Sequence, residues 1–87
     1  MELVEVIAQA QGQLQVLTHL KVSNIIEATK KEDGWHVTVE LIERKAIPDT
    51  QDLLGVYEAV LDDRGSVVGY HRKRVRRRTD TEEEVES

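Results

Sequence analysis

With 87 residues, a net charge of −5 and no cysteine, the chain has room for one domain and none for a disulfide framework or a thiolate zinc site. No stretch approaches the roughly 20 apolar residues of a membrane span. The start, Met1-Glu2-Leu3, lacks the basic and apolar regions of a signal peptide, so a cytoplasmic protein is expected.

Leu3, Ile7, Ala10, Leu14 and Leu17 recur at spacings of 4, 3, 4 and 3, the single apolar face of an amphipathic helix. This predicts a helix over residues 2–18, with Gln9, Gln11, Gln13 and Gln15 largely off the stripe. If part of the stripe stayed uncovered it would be the natural contact of a weak homodimer; otherwise the chain is a monomer.

From Lys21 a modest strand is expected, with Val22, Ile25 and Ile26 among Thr and Asn. Asp33-Gly34 is a hairpin signal, because glycine tolerates positive φ. Trp35, Val37, Val39 and Leu41 then alternate with His36, Thr38, Glu40 and Ile42, the period of a strand covering a core. Trp35 is expected to close one end of that core.

Pro48 interrupts the pattern. Leu53, Tyr57, Ala59 and Leu61 line one face of a third strand, Asp62 to Gly65 form a second turn, and Val67 to Val75 make a fourth strand that becomes steadily more basic. The predicted fold is α+β: an N-terminal amphipathic helix packed on a four-stranded antiparallel meander sheet. Its core is expected to comprise Leu3, Ile7, Leu14, Leu17, Trp35, Val37, Val39, Leu41, Tyr57 and Leu61. The domain should span residues 1–78, followed by a disordered acidic tail over 79–87.

Charge is distributed unevenly. The run from His71 to Arg78 holds six of the twelve basic residues, and Asp80 to Glu86 holds five of the seventeen acids. The far face of the sheet, carrying His36, Glu40, Glu58, Arg72 and Arg74, should be wet unless a partner covers it.

These observations bear on chemistry. His19, His36 and His71 have no ligand spacing and no cysteine beside them, so no metal is expected. Glu40, Glu43, Asp49, Asp52 and Glu58 supply carboxylates, but a structural role is expected rather than an acid–base pair, with Glu40 and Glu58 near Arg72 and Arg74 forming cross-strand ion pairs. No phosphate-binding loop, dinucleotide fingerprint or nucleophile elbow occurs. No catalytic residue, cofactor or small-molecule substrate is therefore expected. Charge on an edge strand discourages sheet-to-sheet aggregation, and it also suits docking onto an acidic protein. Both readings rank ahead of a nucleic-acid module using Arg72 to Arg78, which would have only Tyr70 to stack on a base.

Three ordered segments resemble the gas vesicle protein O family, accessory proteins of gas vesicle formation in prokaryotes. They are Gly34-Trp35-His36-Val37-Thr38-Val39-Glu40-Leu41-Ile42-Glu43, Ile47-Pro48-Asp49-Thr50-Gln51-Asp52-Leu53-Leu54-Gly55-Val56-Tyr57-Glu58, and Leu61-Asp62-Asp63-Arg64-Gly65 leading to Tyr70-His71-Arg72. The family tends to end its last strand with an Arg-Tyr pair, where this chain has Val75-Arg76-Arg77-Arg78. The resemblance implies a non-enzymatic assembly role with other gas vesicle proteins as partners. Candidate contact residues are Glu40 and Glu58 on the sheet, Pro48, Asp49 and Asp52 in the loop, and Tyr70, Arg72, Arg74, Arg76, Arg77 and Arg78 on the last strand.

Overall fold

A computed structural model describes residues 2–78. The helix α1 spans Leu3–Thr18, followed by the strands β1 (Lys21–Lys31), β2 (Gly34–Arg44), β3 (Leu53–Leu61) and β4 (Val67–Arg77). A short 3-10 turn at Asp49–Gln51 lies between β2 and β3.

Local chemistry sets the ends of α1. The Glu5 carboxylate accepts the Glu2 amide at 3.0 Å, satisfying a donor that the first turn leaves open. At the other end His19 adopts the left-handed conformation (φ 61°), and its amide returns to the Gln15 carbonyl at 2.9 Å.

The strands follow one another across the sheet in chain order, every neighbour antiparallel, as the meander reading requires. Glu32 and Asp33 make the first turn, with Gly34 at φ 133° opening β2. A side chain at Gly34 would collide with the Leu61 carbonyl, so this position needs glycine for space as well as for φ. In the second turn the Asp62 carboxylate accepts the amides of Arg64 and Ser66 at 2.9 and 3.0 Å, the local bonding that makes aspartate a turn residue.

The core lies between α1 and one sheet face. Val6, Ala10 and Leu14 meet Val37, Val39, Leu41, Tyr57, Ala59 and Leu61, all buried, with Leu20, Val22, Ile25, Ala28, Trp35 and Val67 packed partly against them. Gln13 fixes the helix to the second hairpin: its amide donates to the Gly65 carbonyl at 2.6 Å and accepts from the Val67 amide at 2.7 Å. Trp35 stands at the margin of the core, with the Lys30 ammonium 5.7 Å from its ring centre.

The helix stripe needs correction. Leu3 and Leu17 are 47% and 49% exposed, Ile7 is half-buried, and Val6 belongs to the core instead. Leu3 and Leu17 share the sheet-facing side, but they sit in the first and last turns, where helix flanks a side chain on one side only. The expected acidic tail, 79–87, lies outside the described residues.

Candidate protein-contact surface

The far face of the sheet is organised by ion pairs that cross strands. Register places Thr38 opposite Glu58, Glu40 opposite Val56 and Ile42 opposite Leu54. On the next strand, His71, Arg74 and Arg76 stand opposite Glu58, Val56 and Leu54. Arg76 reaches from β4 across β3 to Glu40 on β2, its Nε donating to the carboxylate at 2.8 Å and its Nη2 donating as well. Glu40 is consequently 4% exposed, not wet as its alternation suggested, while Leu54 and Val56 in the strand between are buried.

Further along this face, His36 sits between two carboxylates. Its Nε2 is 2.8 Å from Asp33 and its Nδ1 is 3.1 Å from Glu58. These hydrogen bonds, Asp33 first and Glu58 second, raise the His36 pKa above its ordinary value. The His36 bond lowers that of Glu58 in return. His71 approaches the other Glu58 oxygen at 3.7 Å.

Arg72 does not share this face. Lys73 is an extra residue in β4, a bulge that shifts the alternation by one position. Arg72 and Tyr70 therefore lie on the helix side, opposite Tyr57 and Ala59. The Tyr57 and Tyr70 rings stand 6.4 Å apart. The Tyr57 hydroxyl donates to Glu43 at 2.6 Å, and Arg72 lies 3.6 Å from the same carboxylate. Burial first, and the Glu43 carboxylate second, push the Tyr57 pKa up to about 12. Glu43 was not singled out as a site residue. Its signal was its place in the odd-numbered alternation of β2, which sends a carboxylate to the apolar side in need of partners.

Asp52 was expected in an open loop, and its side chain is fully enclosed. The carboxylate accepts the Ala46 amide at 2.8 Å and Arg78 Nη2 at 3.1 Å, with the Lys45 ammonium at 3.6 Å. Its backbone carbonyl also accepts the Arg78 amide at 3.1 Å. The Ala46 bond, and then Arg78, lower its pKa. Asp52 thus joins the loop to the end of β4. Pro48 and Asp49 remain exposed there, beside a fully exposed Ile47 that the sequence reading left out of the site.

The basic run is therefore divided. Arg76, Arg78 and, more loosely, Arg72 hold carboxylates of the fold. The Arg74 side chain is exposed and has no hydrogen bond or ion pair among the described residues, and Lys73 and Arg77 are exposed beside it. Among the described residues no group of three or more His, Cys, Asp or Glu is placed to hold a metal ion. No helix of the described residues is long and apolar enough to cross a membrane.

The family described as gas vesicle synthesis protein GvpO matches residues 1–82. The chain belongs to this family. Its relatives include gas vesicle protein O1 of Halobacterium salinarum, 40% identical over 77 residues, which are 88% of this chain and 65% of the relative. Gas vesicle protein O of Haloferax mediterranei is 55% identical over 53 residues, covering 61% of this chain and 38% of the relative. Gas vesicle protein O of a Streptomyces species is 39% identical over 69 residues, covering 79% and 54%. The chain thus spans less than two thirds of the length of these relatives. No solved structure matches it.

Proposed function

We propose that this GvpO-family chain is a non-enzymatic accessory factor of gas vesicle synthesis, acting in the cytoplasm through contacts with other gas vesicle proteins. Family membership supports the process, and the division of the basic strand carries the mechanism. A strand that needed charge only to hold its own fold would engage all of it, yet Arg74 stands unpaired among the described residues. The contact surface combines the exposed side of β4, including Tyr70 and Arg77, with the neighbouring Ile47, Pro48 and Asp49. Asp52 holds these two parts together.

The paired carboxylates support a non-catalytic reading. Glu40, Glu58 and Asp52 each face a cation or imidazole of the fold, and the lowered pKa values of Glu58 and Asp52 hold those two carboxylates ionised rather than poised to exchange a proton. The nucleic-acid alternative loses support for a related reason. Arg72, Arg76 and Arg78 are turned toward carboxylates, which breaks up a continuous phosphate-tracking row.

The test is affinity capture of the tagged chain from vesicle-forming cells, alongside deletion of its gene. Recovery of other gas vesicle proteins, with loss of buoyancy restored by the wild-type gene, is expected. Normal buoyancy without the gene would overturn the reading.

A further inference from the structure

β4 is an edge. It pairs with β3 along one side, and among the described residues no strand lies along the other. An edge strand presents alternate N–H and C=O groups outward, ready to bond another extended chain. We infer that this edge receives an extended segment of another protein as a fifth strand, and that the segment alternates acidic with apolar residues. The inference rests on the reading of the chain as a protein-contact factor.

Charge determines the partner's chemistry. β4 contains Arg72, Lys73, Arg74, Arg76 and Arg77 and no acid. A second copy cannot supply the complement, because its β4 carries the same sign and its β1 edge holds Lys21, Lys30 and Lys31 against Glu27 alone. Like charges set side by side across a ladder oppose pairing, whereas opposite charges favour it.

Alternation is set by the two sides of β4. On the far face Arg74, exposed and unpaired among the described residues, lies near His71 and Arg76. On the helix side Tyr70 and Val75 remain 41% and 38% exposed, beyond the part of the sheet that the core covers. An incoming strand thus meets cations on the far side and, on the helix side, apolar surface at Tyr70 and Val75 beside Arg77 and an Arg72 that Glu43 already engages. Successive strand residues point to opposite faces, so an acid–apolar alternation answers both. The bulges at Val68 and Lys73 leave two regular stretches, Gly69–Arg72 and Arg74–Arg77, for the new ladder. Strand addition of this kind draws affinity from main-chain bonds and selectivity from alternate side chains.

The test titrates the full chain with an acetylated, amidated peptide of alternating Glu and Val, about eight residues long. Binding is read by calorimetry and by amide hydrogen exchange. Saturable binding below about 1 mM is expected, with slowed exchange at alternate β4 amides and none at β1. Methylating alternate peptide nitrogens keeps every charge but removes ladder donors. This change, and separately the pair Lys73→Glu with Arg74→Glu, should each weaken binding by about tenfold or more. Equal binding of the methylated peptide, no saturable binding, or tighter binding of a thymidine oligonucleotide of similar length would each overturn strand addition by an acidic partner. The full chain carrying Glu82→Gln, Glu83→Gln and Glu84→Gln should bind within about threefold of wild type. A gain beyond about tenfold would assign the edge to the chain's own acidic segment instead. These outcomes bear on strand addition alone, since buoyancy rescue by the wild-type gene is read separately.

Discussion

The two faces of the sheet exclude water by different means. On the helix side Val37, Val39, Leu41, Ala59 and Leu61 are buried by contact with Val6, Ala10 and Leu14, and the burial of apolar surface holds them. On the far side no helix of the described residues lies over Leu54 and Val56, yet they are as deeply buried. The side chain of Arg76 crosses β3 above them to reach Glu40. Its stem covers apolar surface while its head group neutralises a carboxylate. A strand can therefore spend some of its arginines as cover and keep others for contact. Its charge count alone does not separate the two uses.

The largest expected effect lies on the helix side. Leu14→Ala should cost about 3 kcal/mol of stability, measured by urea unfolding, because a fully buried side chain leaves a cavity between helix and sheet. A cost below about 1 kcal/mol would mean that the helix is not the cover of this face.

On the far face the expected effects are asymmetric. Arg76→Ala should cost about 2–3 kcal/mol, since it strands Glu40, which is 4% exposed, without its partner. Glu40→Ala should cost about 1 kcal/mol or less, because the freed guanidinium can turn to water. Equal costs for the two variants would refute the bridge as the source of burial.

The His36 pair sharpens the comparison through pH. Its folded pKa is raised by Asp33 and then Glu58, so its contribution to stability is fully present below its ordinary value of 6.5 and lost as pH rises through the folded pKa. The urea midpoint should fall over that window, and His36→Gln should flatten the fall. Asp33 and Glu58 have lowered pKa values, so their contribution is lost at the acid end, as pH falls through them. An unchanged alkaline slope in the variant would remove His36 as its cause.

The smallest expected effects on stability belong to Lys73→Ala and Arg74→Ala, each within about 0.5 kcal/mol, because the Arg74 side chain holds no group of the described residues and the exposed Lys73 acts on Glu58 only through its charge.

Much of the fold was legible because its elements have strong periods. The stripe from Leu3 to Leu17 marked α1, the Trp35 to Leu41 alternation marked β2, and Asp33-Gly34 and Asp62 to Gly65 marked the turns. Alternation failed where β4 bulges at Lys73. A single inserted residue leaves the pattern of a basic run unchanged yet moves Arg72 to the other face. The burial of Glu40 and Asp52 was hidden for another reason. Their partners, Arg76 and Arg78, lie 36 and 26 residues away in the chain, and only the register brings them together.

The account's central claim is that the outward cations of β4 make contacts while the inward ones hold the fold. It is tested most directly by the doubly reversed chain, Lys73→Glu with Arg74→Glu, introduced into a strain lacking the gene. The prediction is a chain that accumulates as folded protein and fails to restore buoyancy. Full buoyancy from that folded variant would contradict it.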